Sequence, residues 1–180
     1  MNKEPLLLAV DPGSSSGALA WLTIEGGATK VTVHNMPDSY AGIWNLLQGL
    51  AATHDITTVM EDVGGSMPGN AAKAARTFAA HVGALEMAFV ALGREDQVVK
   101  VRPQKWMPEL FGDKYPKAEK GADAEEKRRV KQERKHFIHD EVLKLLGDLG
   151  TCTLRQADAV ALLFWGRLHF EGKGIRWTRI

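Results

Sequence analysis

Residues 6–21, LLLAVDPGSSSGALAW, constrain the fold more than any other stretch, because an unbroken apolar run there stops at an aspartate and a glycine-bracketed turn. Leu6, Leu7, Leu8, Ala9 and Val10 suit a strand covered on both faces. Pro12 and Gly13 end it, so Asp11 stands at the strand's exit. Ser14, Ser15, Ser16 and Gly17 make a tight reversal, and the apolar run beginning at Ala18 returns as an antiparallel partner. Asp11 is then either an ordinary turn aspartate or a carboxylate delivered to a site by its strand.

A strand buried on both faces needs a core around it. The 180 residues, 44% hydrophobic and 25% charged, supply one for a single domain spanning 1–180. The apolar run ahead of Asp11 is too short for a signal peptide or a bilayer span, so a cytoplasmic protein with no membrane partner is expected. Cys152, the only cysteine, allows neither an intrachain disulfide nor a cysteine-based zinc site, and it reads as core packing. A formal net charge of +1 leaves any affinity for nucleic acid to local patches.

Residues 30–34 (KVTVH) alternate as a third strand closing an antiparallel meander. Ser39 can cap a helix whose apolar positions Ile43, Leu46, Leu47 and Leu50 recur at helical spacing. The β-branched run 56–60 ends at Glu61 and Asp62, a second carboxylate at a strand's end. A glycine-rich loop, 64–70, precedes a long alanine-rich helix over 71–92, and 97–101 (QVVKV) is a fifth strand. Pro103 opens a brief helix carrying Lys105, Trp106 and Met107, which Pro108 should limit.

Between 113 and 135 the composition shifts to nine bases against six acids. The first half of this segment lacks core formers and should be mobile, and the second half runs into a helix bearing Phe137, Ile138, Val142, Leu145 and Leu146. The final helix, 154–169, is apolar all round except for Asp158. An ionised carboxylate in such a place is costly unless a cation or hydrogen-bond donors compensate it.

Two carboxylates at strand ends and a third on a buried helix make a set suited to hard divalent cations with oxygen ligands. Two such ions roughly 4 Å apart activate water on one side of a phosphodiester and stabilise the leaving oxygen on the other. With the order of elements, the set fits an α/β ribonuclease H-like fold: a five-stranded mixed sheet, an antiparallel meander plus parallel strands, flanked by helices.

The chain resembles the RuvC-type Holliday junction resolvases in three blocks: AVDPGSSSGALAW, VMED and QADAVALLFWG. The resemblance implies that Asp11, Glu61 and Asp158 are catalytic and bind Mg²⁺, with Mn²⁺ as a substitute. It also implies a homodimer that cuts opposed strands of four-way junctions and other branched DNA. Resolvases of this kind occur in phages as well as bacteria. By the same analogy Lys105, Lys127, Arg128, Arg129, Lys131 and Lys135 hold junction phosphates, although charge runs that alternate in sign are also ordinary solvated faces.

Where the family has a further acidic or histidine ligand, one helical turn before Asp158, this chain has Arg155, so either Asp62, Asp140 or His139 supplies the fourth ligand or the site works with three carboxylates. In place of an aromatic wedge after Glu61 the loop offers Gly64 and Gly65, leaving Met67 as the candidate for insertion at the junction. The alanine-rich helix is the expected dimer contact, its small residues permitting close approach. Two other functions fit parts of the pattern. One is a junction-binding module without catalysis, suggested by Arg155. The other is an actin-like ATPase domain with DPGSSSG as its phosphate loop, which leaves Glu61 and Asp158 without a purpose.

Overall fold

A computed structural model describes residues 3–13, 16–25, 28–63 and 72–171. Its frame is a five-stranded sheet in the order β3-β2-β1-β4-β5. The strands are β1 (Glu4–Asp11), β2 (Ala18–Glu25), β3 (Ala28–Asn35), β4 (His54–Glu61) and β5 (Val98–Val101). β1, β2 and β3 form the antiparallel meander, while β4 runs parallel to β1 and β5 parallel to β4. The ribonuclease H-like α/β fold expected from the order of elements is the one observed.

The unbroken apolar run explains why β1 is central. Leu6 through Val10 are all fully buried, between β2 on one side and β4 on the other. Alternation along the strand divides the run between two cores. Leu6, Leu8 and Val10 join the core under α1 (Tyr40–Thr53) and α2 (Ala72–Ala91). Leu7 and Ala9 join the core under α3 (Pro103–Phe111), α4 (Ala124–Leu146) and α5 (Ala157–Glu171). Burying each leucine contributes roughly 1.5–3 kcal/mol, so β1 anchors both layers.

The helices begin and end where their chemistry dictates. Ser39 caps α1, its hydroxyl accepting from the Gly42 N–H at 3.0 Å, and Asp123 caps α4 by accepting from the Glu126 N–H at 2.8 Å. α5 is buried nearly all round because it lies on β1 and β2 and is covered by α3 and α4. Gly166 makes its seat close: a Cβ there would lie 2.7 Å from Cγ2 of Val59 on β4. Cys152 is buried as a free thiol beside this core.

Two boundaries differ from expectation. Pro108 does not end α3, which continues to Phe111 and stops at Gly112, whose φ of 61° is left-handed. The proline forfeits one backbone bond, to residue 104, and burial of Trp106 and Phe111 on either side of it offsets that loss. The last helix begins at Ala157, not 154, because residues 154–156 form a turn in which the Gln156 N–H bonds the Thr153 carbonyl at 2.9 Å. Residues 124–135, the second half of the basic segment, are helical. In its first half Tyr115 stacks on Phe111, with centroids 6.3 Å apart. Among the described residues no helix is long and apolar enough to cross a membrane.

Candidate metal centre

Strand register places the first two carboxylates. Val10 pairs with Met60, so Asp11 and Glu61 are the next residues on adjacent parallel strands. Asp11 has the parity of Leu7 and Ala9, and Glu61 that of Val59, so both face the layer containing α5. α5 lies across that face, with Asp158 in its first turn. Gly17 lets the chain turn tightly beside Asp11. A Cβ there would come within 2.5 Å of the Asp11 carbonyl and the Gly13 amide nitrogen.

The three carboxylates act on one another. Burial raises the pKa of Asp11 well above the usual aspartate range, the charges of Glu61 and Asp158 raise it further, and Lys135 pulls it down. Glu61 is pushed from 4.5 to about 7 by burial and by Asp158, against a hydrogen bond from Trp106. Asp158 is raised by burial and lowered by Lys135. Negative charge is thus concentrated beyond what the surrounding protein compensates, and hard oxygen donors of this kind fit a divalent cation. Among the described residues no three His, Cys, Asp or Glu side chains gather closely enough to hold a metal ion between them. Mg²⁺ takes only one or two protein carboxylates and keeps several waters, so the donor chemistry fits without a closed cage.

These shifts have a measurable consequence for stability. The unfolded chain releases the Glu61 proton near 4.5 and the folded protein near 7. Between those values the folded protein holds more protons, so stability falls as pH rises through this window and is level above it. The Glu61 contribution is roughly 3 kcal/mol. Without divalent ions the unfolding midpoint should drop by roughly 6–12 °C between pH 4.5 and 7 relative to Glu61→Gln. Equal pH profiles for the two proteins would contradict the assignment.

The other expected site residues are placed unevenly. Lys135, exposed on α4, acts on both Asp11 and Asp158. Lys127, Arg128 and Lys131 are exposed on the same helix, and Lys105 is exposed on α3. Arg129 is exposed as well, but its guanidinium bonds Glu126 at 3.0 Å and faces Glu133 at 3.6 Å. Met67 lies outside the described residues. The alternatives for a further ligand each have a partner outside the set. His139 bonds the Cys152 carbonyl at 3.1 Å, Asp140 is 3.7 Å from His139, and Asp62 pairs with Arg102 at 3.4 Å. Arg155 is exposed in the turn before α5.

Two features escaped the reading of the sequence. The fully buried Trp106 donates its indole N–H to Oε2 of Glu61 at 3.2 Å. Phe111, Tyr115 and Phe137 form an aromatic wall beside it, with Arg134 over the Tyr115 ring at 5.1 Å. The charges of Asp158 and Glu61 reach Tyr115, whose hydroxyl is raised mainly by burial. The aromatic spacing from α3 into α4 was the available signal, but it is equally the signal of plain core.

No protein-family model matches the chain, and no curated protein matches it in sequence. Solved structures do match. Thermus thermophilus RuvC is 18% identical, with a TM-score of 0.56, over 94% of this chain and 96% of that one. T. thermophilus RuvC in complex with a Holliday junction substrate is 14% identical, with a TM-score of 0.57, over 95% and 97%. The chain shares the ribonuclease H-like fold of these RuvC structures along almost its whole length.

Proposed function

We propose that the protein is a divalent-metal-dependent endonuclease that cuts branched DNA, four-way junctions foremost, as a homodimer. The observation that carries this reading is that Asp11, Glu61 and Asp158 lie towards one face of the sheet, each raised in pKa by burial, Asp11 further by the charges of Glu61 and Asp158 and Glu61 further by that of Asp158. Each Mg²⁺, or Mn²⁺ in its place, would be held by one or two of these carboxylates and would keep several waters. When bound, such ions supply an activated water and charge neutralisation at the leaving oxygen. The likeness to a RuvC seated on a junction supports the choice of substrate.

The chain's own part is to bring phosphates to this charge without repelling them. On α4, Lys127, Lys131 and Lys135 recur at four-residue spacing and Arg128 lies three before Lys131, so these four share one stripe. The stripe ends beside the carboxylates at Lys135. Arg129 points away from it, towards Glu126 and Glu133. Replacing Lys127, Arg128 and Lys131 together by alanine should reduce the log-log salt slope of DNA binding by about 2.7, at roughly 0.9 per phosphate contact. Duplex and branched DNA should weaken alike, since phosphate contacts carry no sequence information. Arg129→Ala should leave the slope alone, and a triple variant with an unchanged slope would make α4 a solvated face.

Two cuts in opposed strands require two sites related by a two-fold axis. The first half of α2, residues 72–80, has no buried side chain, and its alanines suit a second copy. The deciding assay uses labelled four-way, three-way, flap and duplex DNA with Mg²⁺. Cutting of the branched forms is expected. A mobility shift without cutting would instead favour the binding-only module.

A further inference from the structure

The Glu61 side chain has three rotatable torsions, and left to itself it loses roughly 2 kcal/mol of rotamer freedom when fixed in place. Something must hold it if it is to present an oxygen in one position. Among the described residues the hydrogen-bond donor to its carboxylate is the indole of Trp106, at 3.2 Å on Oε2. The donor itself cannot wander, because Trp106 is fully buried and packs on Phe111 with ring centroids 6.4 Å apart. Nor is the helix that carries it loose. At its far end Glu109 of α3 accepts from the Trp165 indole of α5 at 2.7 Å. α3 is thereby tied by one indole–carboxylate bond to the strand bearing Glu61 and by another to the helix bearing Asp158.

We infer that Trp106 is a positioning residue for Glu61: its N–H engages Oε2 and leaves Oε1 to take a divalent cation, so that α3 sets how Glu61 meets the other carboxylates. This inference rests on the nuclease reading above and gives it a residue outside the acidic set. Because the indole is buried, water does not replace the N–H when it is removed, and the carboxylate is left to rotate or to seek another partner. Hydrogen-bonding partners behind a metal ligand are typically worth 10–100-fold in metal affinity.

The test uses Trp106→Phe, which keeps an aromatic ring and deletes the donor, with Trp44→Phe on the opposite core as the control for lost packing. Mg²⁺ alone is the probe. The half-saturating Mg²⁺ concentration, from calorimetry on the DNA-free protein and from junction cleavage, should rise about tenfold or more in Trp106→Phe and stay at the wild-type value in Trp44→Phe. In ¹⁵N-labelled wild-type protein the indole resonance of Trp106, assigned by its through-space contacts with the Phe111 ring, should move as Mg²⁺ is added and stay still in Glu61→Gln. That second measurement stands even if Trp106→Phe fails to fold. Equal half-saturation in wild type and Trp106→Phe, or an indole resonance indifferent to Mg²⁺, would overturn the inference while leaving the nuclease reading intact. An indole that responds to Mg²⁺ in a protein that cuts no branched DNA would uphold the positioning role and refute the nuclease.

Discussion

On the proposed function, Asp11→Asn should lose more than about a thousandfold in junction cleavage with Mg²⁺, because several kcal/mol of charge stabilisation would disappear with the cation it would help to hold. It should nevertheless bind junctions as well as the wild type. The same substitution should raise the unfolding midpoint at pH 8 without divalent ions, since it deletes a buried carboxylate held beside Glu61 and Asp158. Activity and stability moving in opposite directions is the signature of a residue kept for chemistry at the expense of the fold. A variant that cuts at the wild-type rate would place the site elsewhere. One that neither cuts nor binds, with a lowered midpoint, would make Asp11 a structural turn residue.

Gly17→Ala should cost about 3 kcal/mol, the upper end of what overpacking commonly costs. The methyl group would meet backbone and not the yielding end of a side chain: the Asp11 carbonyl and Gly13 amide nitrogen at 2.5 Å and the Gly13 carbonyl at 2.6 Å. The Gly17 N–H also bonds the Gly13 carbonyl at 3.0 Å, and its own carbonyl accepts from Met36 at 3.0 Å, so the turn has little room to shift. A fall of roughly 6–12 °C in midpoint follows for a chain of this size. Gly49→Ala supplies the contrast. It sits exposed on α1 with nothing within 4 Å of the new Cβ, so it should gain about 0.5–1 kcal/mol. Calorimetric scans of both variants decide the matter, and a Gly17→Ala midpoint equal to wild type would show that the turn opens freely.

Much of the fold was legible because its signals were local. The unbroken run 6–10 announced a doubly covered strand, Ser39 announced a cap, and the apolar circumference of α5 announced burial from every side. Asp11, Glu61 and Asp158 stood out for the same reason, each being a charge at the margin of an apolar segment. What brings them together is not local. That β4 pairs with β1, leaving Glu61 beside Asp11, is a choice of neighbour between strands separated by α1 and two other strands. The bond from Trp106 to Glu61 escaped notice because the two residues are 45 positions apart and the tryptophan's setting resembles ordinary core. Pro108 misled because propensity argues against proline within a helix, whereas burial of Phe111 outweighed it. The basic block was visible as composition, but helical phase separates Arg128 from Arg129, turning one along the stripe and the other towards acids.

The seating of α5 on the sheet also bears on how the protein is made. Asp11 and Glu61 lie on strands that leave the ribosome early, while Asp158 arrives only with the helix that closes the second core. At about 5–20 residues per second, roughly 7–30 s separate synthesis of the first and third carboxylates. During that interval the exposed half of the sheet lacks its cover, and the acidic set lacks a member. If the proposed nuclease reading holds, a half-made chain would be inert towards DNA cleavage, and the step that buries the last large apolar surface would also be the step that completes the acidic set.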